Sequence, residues 1–514
     1  MRLAARNLGS NYLAYAAAIL SGLVLTPVII GAIGQEAYGA WAFIISLTTI
    51  LRLLDFGITP TVVRFTAFHR GRGPVAADEI GALASASLTV YLLVGMLSVA
   101  AGLVLAWLLP GMLALSPDLE RPAQVATVIA VLTLGTQAPL GLFGSLLKGA
   151  QRFDILNVGA LVSILAYAAL ILVVLTRNAT LPVLATIALV ATLIRLLYPI
   201  YFVRRELPGL RLSRALVSRK EVRRLLAFSW FAFLGHVAGK VVYSADLILI
   251  GAILGAKPVA LYAVASRLFG LASGVASTGT ELLLPLQSEL EGRAEHDRQR
   301  GFVLSGIRAS MCVALLLSVP LVVLPSWILT AWLGEGFEKS AVPLALLGLA
   351  VAFTQPNAVL SQFLFARGRP VQLAIAQTAL ATANLALTAG LLLSVGEIWV
   401  AALATLVVEG IGATLVMPVL ARRASVPVRG LFASWAWPVA AGAIAAVPTL
   451  VLARWLTDTD SLLVLAVVGA AWSVVFGAVA WRLGLTASER VLVRSLATSR
   501  RRPRAVAELP DTPE

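Results

Sequence analysis

Apolar residues run through this chain in long blocks, each closed by charges or by Gly and Pro. A helix that crosses a bilayer needs about 18 or more such residues in succession. Fourteen blocks qualify, at 9–33, 38–67, 82–109, 122–147, 153–176, 179–203, 225–254, 258–288, 302–332, 341–366, 371–394, 397–421, 432–456 and 461–481. Strong helix formers dominate them, whereas barrel strands would be alternating segments of about 10 residues, so the spans are expected to be helices. The second and eighth exceed a straight crossing and require a tilt, a kink or an extension past the membrane. Arg2 and Arg6 precede the first block, but it is long for the core of a leader and no small-x-small cleavage site follows. It reads as the first helix.

Composition agrees with the pattern. The 514 residues are 59% hydrophobic and 13% charged, against roughly 25% charged in globular chains. Such a chain cannot cover a water-facing surface with polar groups, so the expected class is an all-α polytopic membrane protein. Cys312 falls inside a span, which excludes an intrachain disulfide and a Cys-based metal site. No phosphate loop of the GxxxxGK[ST] type and no HExxH occurs, so no metal and no cofactor is expected. Energy would come from an H+ or Na+ gradient or the membrane potential. "DTD" at 458–460 has the form of a glycosyltransferase metal pair, but it sits in a short loop with no domain to hold a nucleotide sugar.

The net charge of +15 changes the picture only through its distribution. Loops on the side of the N-terminus hold 29 Lys or Arg, and the opposite loops hold five. Basic residues collect on the cytoplasmic side of membrane proteins. This asymmetry supports an even number of spans with both termini cytoplasmic in a bacterial inner membrane. It also removes the need for a nucleic-acid partner, which no soluble domain could bind.

A weak internal repeat divides the chain. "IIGAIGQEAYGAW" at 29–41 resembles "LIGAILGAKPVALYAVASRL" at 249–268, and "LLKGAQRFDILNVGALVSILAY" at 146–167 resembles "LFARGRPVQLAIAQTALATANL" at 364–385. The expected organisation is a lobe of six helices at 1–205, a basic cytoplasmic linker at 206–224, and a second six-helix lobe at 225–423. Two further helices at 424–484 and a charged tail at 485–514 follow. Paired halves are a common transporter plan, with the site between them.

Six bases lie inside spans: Arg52, Arg64, Arg195, Lys240, Arg267 and Arg308. Four acids accompany them: Asp55, Asp246, Glu281 and Glu409. Each central base costs about 2.5–3.5 kcal/mol on insertion scales, so they must snorkel, pair or line water. Arg52 lies fourteen residues past Tyr38, about 21 Å along a helix, and is deep in a core of roughly 30 Å. It either pairs with Asp55 one turn on or faces a cavity. Arg64, Arg195 and Arg308 can snorkel at least in part. Lys240 and Arg267 fit a water-filled cavity better. His236, Lys240 and Tyr243 fall within an arc of about 60° on the seventh span, with Asp246 some 40° beyond. His236 is either a packing residue or a proton carrier. The spans also carry amides, among them Asn157, Gln355, Asn357 and Asn384, which serve as interhelical glue or as donors to a sugar.

At this point a family likeness enters. "GAIGQEAYGAWAFIISLTTILRLLDFGITPTVVRF", "KGAQRFD" at 148–154 and "SADLILIGAILGAKPVALYAVASRL" at 244–268 resemble, in order and spacing, signatures of the O-antigen and teichuronic-acid type polysaccharide flippases. These belong to the multidrug/oligosaccharidyl-lipid/polysaccharide exporter superfamily. The resemblance implies two six-helix lobes in a V shape around a cavity. It also implies an undecaprenyl-pyrophosphate-linked oligosaccharide as substrate, moved by alternating access for polysaccharide biosynthesis. Arg52, Lys240 and Arg267 would hold the pyrophosphate, with Arg64 nearer the inner entrance. Asp55, Asp246, Glu281, Glu409 or His236 would couple an ion. The two extra helices match those that form a lipid-tail groove in the lipid II branch. Membrane lipids, a polymerase and glycosyltransferases are the partners implied. Two alternatives stand beside it: a cation-coupled multidrug exporter of the same superfamily, and a membrane enzyme of lipid-linked glycan assembly. The enzyme would need a large outer loop, and no loop exceeds about 20 residues.

Overall fold

The computed structural model describes residues 2–52, 58–70, 77–175, 177–219, 222–223, 225, 245–280, 287, 290, 295–367, 370–456, 462–486 and 490. Among these residues the chain is helical, with no strands. Twelve helices are long and apolar enough to cross a membrane. Each coincides with one of the predicted spans. The other two predicted spans, 38–67 and 225–254, run through 53–57 and 226–244, which lie outside the described residues.

Contacts between Cα atoms divide the chain into two compact units. The first comprises Met1–Arg267, Glu335–Pro343 and Pro370–Val408, and the second Leu268–Gly334, Leu344–Arg369 and Glu409–Glu514. In chain order the helices that begin in the first unit are α1 (Arg2–Ile33), α2 (Gln35–Leu51), α3 (Ile58–Arg70), α4 (Ala77–Leu113), α5 (Pro117–Gly149), α6 (Phe153–Leu170), α7 (Leu181–Glu206), α8 (Ala245–Leu254) and α9 (Ala256–Thr280). Later in the chain come α10 (His296–Val323), α11 (Pro325–Leu333), α12 (Ala341–Ala366), α13 (Pro370–Val395), α14 (Trp399–Ile411), α15 (Met417–Arg423), α16 (Val428–Leu456) and α17 (Leu462–Val479). Of these, α12 as far as Pro343, α13, and α14 as far as Val408 belong to the first unit.

The first unit is built on a core that joins α3, α4, α5, α6 and α7. Ile58, Val62, Leu83, Tyr91, Leu142 and Val203 are among its buried members. Hydroxyls that fall inside the helices turn back onto their own backbone, as Thr26 does to the Gly22 carbonyl at 2.6 Å and Ser85 to the Gly81 carbonyl at 2.8 Å. In hydrocarbon a hydroxyl has no water to bond, so this local option is the available one.

The second unit uses prolines and tryptophans together. Pro320 in α10 and Pro356 in α12 have no N–H, which releases the carbonyls of Leu316 and Ala352 one turn earlier. Trp472 of α17 donates its indole N–H to the Leu316 carbonyl at 2.7 Å, and Trp435 of α16 donates to Ala352 at 2.9 Å. Arg308 of α10 donates to Ser434 of α16 at 3.0 Å. Helices 13 and 14 of the sequence pattern are thus clipped to α10 and α12 at backbone positions that would otherwise be unsatisfied.

Candidate substrate and ion sites

Two glycine turns set the depth of the site residues. Gly34, between α1 and α2, and Gly255, between α8 and α9, have φ of +83° and +88°, a conformation that glycine adopts without cost. The two turns share one corner of the first unit. Gly39 rests on the start of α9: a Cβ there would strike the Ala256 carbonyl and stand 3.1 Å from the Ala260 nitrogen. Glu36 accepts from the Ser116 N–H at 2.7 Å and lies 3.8 Å from the Lys257 ammonium.

Counting from that corner, Gly22 is twelve residues before Gly34 and Arg267 twelve after Gly255, about 18 Å each along their helices. The side chains meet accordingly. A Cβ on Gly22 would collide with the Nη2 of Arg267, and its Cζ would be 3.3 Å away. Tyr38 of α2 and Tyr167 of α6 both lie within electrostatic reach of the guanidinium. Arg267 is exposed and has no carboxylate partner among the described residues. An exposed planar fork against a wall with no side chain can grip a phosphate bidentately.

The other predicted substrate residues are placed less fully. Arg52 follows the last residue of α2 and is exposed. It stands eighteen residues past Gly34, so it is about 9 Å further from the glycine turns than Arg267. Arg64 occupies the middle of α3, and its side chain is outside the described atoms. Lys240, Asp55, His236 and Glu281 lie outside the described residues.

Asp246 of α8 is 2% exposed. Its Oδ2 accepts from Tyr262 of α9 at 2.8 Å and from Thr405 of α14 at 3.2 Å, and its Oδ1 accepts from Thr388 of α13 at 3.4 Å. Asn384 of α13 donates to Thr405 at 3.3 Å, while its own carbonyl oxygen is buried without a partner. The cluster is sealed, and among the described residues no base touches the carboxylate. Carboxylate, hydroxyl and amide oxygens are the hard donors that take a proton or a small hard cation. A buried charge without such company is costly.

Glu409 differs. It stands at the end of α14, just before a wide π turn at Gly412–Val416, and is half-buried. Asn357 of α12, beside Pro356, donates to its Oε2 at 2.8 Å. Three of the amides thus bridge helices, since Asn157 of α6 also donates to Ser10 of α1 at 2.9 Å.

The sequence pattern missed Gly22, Tyr167, Thr388 and Thr405. Tyr38 and Tyr262 were visible as the tyrosines that follow each glycine turn. Thr388 and Thr405 gave no signal, because they sit 142 and 159 residues from Asp246.

The "KGAQRFD" turn forms a third charged cluster. Arg152 pairs bidentately with Asp154, at 3.1 and 3.2 Å, and reaches Glu206 at the end of α7 with its Nη1. These hydrogen bonds, Asp154 first, hold the guanidinium proton above its already high usual range.

A family model described as "Polysaccharide biosynthesis protein" matches residues 4–291, more than half of the chain, including Arg52, Arg64, Asp246 and Arg267. The chain belongs to this polysaccharide biosynthesis family. It is 20% identical over 332 residues to a putative O-antigen transporter of Shigella flexneri, covering 64% of this chain and 76% of that protein. Among solved structures it is similar to the lipid II flippase MurJ in an inward closed conformation, with a TM-score of 0.71 at 13% identity, over 93% of this chain and 98% of that one. An inward-facing multidrug resistance transporter of the MATE family, in the MOP superfamily, matches with a TM-score of 0.68 at 13% identity, over 80% and 94% of the two chains. At these identities the structural likeness establishes the fold: a multi-pass membrane protein with the architecture of MOP-superfamily transporters. The relatives named here are transporters and flippases.

Proposed function

We propose that this family member is a flippase that carries an undecaprenyl-pyrophosphate-linked oligosaccharide from the cytoplasmic to the outer leaflet of the bacterial inner membrane, for cell-surface polysaccharide. The observation that carries this reading is Arg267, an exposed guanidinium about 18 Å from the glycine turn of its helix, set against Gly22, within electrostatic reach of Tyr38 and Tyr167 and lacking an acid among the described residues. Charge without a resident counter-ion in a membrane calls for an anionic ligand. Arg52 and Lys240 supply further contacts to the pyrophosphate, and Arg64 meets it nearer the cytoplasm. The prenyl chain stays in lipid while the lobes at 1–205 and 225–423 alternate access. Asp246 binds the coupling proton or cation, and both termini stay cytoplasmic. Glycosyltransferases that build the unit act before it, and a polymerase acts after.

The test is export in cells whose only flippase is this chain. Arg267→Ala and Arg52→Ala abolish surface glycan while the protein accumulates normally. Full surface glycan from both variants overturns the reading.

A multidrug exporter is the second reading, favoured by the sealed Asp246 cluster, which is suited to cation coupling without an anionic substrate. On that reading Asp246→Asn removes drug resistance and Arg267→Ala leaves it intact.

A further inference from the structure

A basic strap leaves the end of α7. From Arg204 to Arg224 the sequence places eight bases and two acids, and the described part of this segment is tied down onto the first unit. Leu207 and Leu225 are buried in the core that joins α3 to α7, and Leu210 and Val222 pack against it. Between these anchors the strap lies along the start of α4. A Cβ on Gly81 would stand 2.9 Å from the Arg211 carbonyl oxygen and 3.5 Å from the Leu216 side chain. Ser213 donates its N–H to the Ser85 hydroxyl at 3.1 Å. Its own hydroxyl accepts from the Ala215 N–H at 3.2 Å and opens the short 3-10 turn Arg214–Leu216. The apolar span of α4 begins at Asp78, so the strap sits where that helix enters the membrane.

Leucine and valine thus form the inner side of the strap, and its arginines are left outside. Arg204, Arg205, Arg211, Arg214, Arg219 and Arg223 are exposed, and none of them enters an ion pair among the described residues. Arginines elsewhere in the loops find acids close in sequence: Arg298 pairs with Glu295 at 3.1 Å and Arg300 with Asp297 at 2.9 Å. In the strap, Glu206 is taken by Arg152, and Glu221 lies outside the described residues. The acids in the first turn of α4, Asp78 and Glu79, pair with none of the six. Tyr201 and Leu212 are exposed in the same stretch of chain, and tyrosine favours the headgroup level of a bilayer.

Bases close to an anionic bilayer surface are attracted to it, and the attraction fades within a Debye length. A loose loop would lose backbone freedom on binding there, whereas a strap fixed to α4 presents its arginines on a backbone that is already ordered. We propose that the strap is a docking surface for the headgroups of anionic phospholipids in the adjacent leaflet, with the guanidinium forks on their phosphates. The surface uses none of the residues proposed to bind substrate, and it does not depend on what the chain transports.

The full chain in detergent is titrated with phosphatidylglycerol, and with phosphatidylcholine as the zwitterionic control, and bound lipid is counted by native mass spectrometry. The triple variant Arg211→Gln, Arg214→Gln, Arg219→Gln changes only exposed side chains and leaves the contacts with Gly81 and Ser85 in place. It should lose about tenfold or more in affinity for phosphatidylglycerol, since each base near an anionic surface contributes about fivefold, and should bind phosphatidylcholine as the wild type does. Added salt should weaken wild-type binding of phosphatidylglycerol and narrow its lead over the variant. Lysine at the same three positions keeps the charge and should retain most of the affinity. Wild-type affinity for phosphatidylglycerol in the glutamine variant overturns the proposal, as does an equal loss for phosphatidylcholine. Release of a copurifying acidic protein by the glutamine variant, with its phosphatidylglycerol affinity unchanged, overturns it in favour of a protein partner.

Discussion

Within the first unit, α9 serves two charged places that are built in opposite ways. Tyr262 and Arg267 are five residues apart, about 140° around the helix. Tyr262 turns to Asp246, whose carboxylate is enclosed by hydroxyls from three helices. Arg267 is exposed against Gly22. The chemistry of the groups explains the contrast. A carboxylate only accepts, so neutral hydroxyls with one hydrogen each can satisfy it in a dry site. A guanidinium has five donors and needs acceptors in a plane, which a glycine and two phenols do not supply. The acid site is complete from within, whereas among the described residues the basic site is left open.

The largest effect on stability should come from emptying the complete site. Asp246→Ala leaves the hydroxyls of Tyr262, Thr388 and Thr405 without their acceptor in a region that is 2% exposed or less. Removing one partner of a buried polar network costs about 1–3 kcal/mol per stranded group, and some of these hydroxyls can turn to their own helix carbonyls. A net loss of about 3 kcal/mol is expected in thermal unfolding of the purified protein. Asp246→Asn keeps the shape and one acceptor oxygen, so it should lose less than half of that while abolishing ion-dependent transport. Equal melting of wild type and Asp246→Ala would mean the cluster is not sealed.

The open site should respond in the reverse sense. Gly22→Leu leaves every charge in place and fills the wall on which the guanidinium rests. The group that must yield is the flexible end of Arg267, and leucine suits a helix better than glycine. Stability should therefore hold or rise, while export falls by about tenfold or more because the fork is displaced from its ligand. Normal export from Gly22→Leu would separate Arg267 from this wall.

This contrast marks how far the sequence could be read. Span positions were legible because about 20 apolar residues between charges have one physical outcome in a bilayer. The bases were legible because they are expensive there, and depth set Lys240 and Arg267 apart together as candidates for a water-filled cavity. Its wall was not, since Gly22 carries no side chain chemistry to notice. The hydroxyls around Asp246 were not legible either. Thr388 and Thr405 look like any threonine that could bond its own helix, and only the packing of α13 and α14 beside α8 turns them to the acid. Lys148 was counted with the loop bases, although the structure ends α5 one residue after it. The roles of Pro320 and Pro356 were also hidden, because a freed carbonyl becomes visible only when Trp472 and Trp435 arrive from more than 80 residues away.

A subtler break in the sealed site is Tyr262→Phe. It removes the shortest of the three hydrogen bonds to Asp246, at 2.8 Å, and leaves the ring in its buried place. The carboxylate keeps Thr405 and Thr388, so the expected cost is about 1–2 kcal/mol in thermal unfolding. If the hydroxyl also helps to hold a coupling ion, the ion concentration for half-maximal transport rises in the same variant. A stability loss with unchanged ion dependence would leave Tyr262 a structural support.

The smallest effect lies between the two threonines, and it should rank them. Thr388→Val deletes a donor at 3.4 Å, a long hydrogen bond that contributes little, and the methyl that replaces it is nearly isosteric. About 0.5 kcal/mol is expected. Thr405→Val deletes a donor at 3.2 Å and also the acceptor for the Asn384 amide. Because the Asn384 carbonyl oxygen is already buried without a partner, that change would strand the whole amide. Thr405→Val should therefore cost about 1–2 kcal/mol more than Thr388→Val in the same melt. If an ion occupies the site, the stranded Asn384 oxygen is free to join it, and added ion should narrow the gap between the two variants by binding the folded state. Identical melting of the two variants at every ion concentration would remove Asn384 from the cluster and leave Asp246 with its hydroxyls alone.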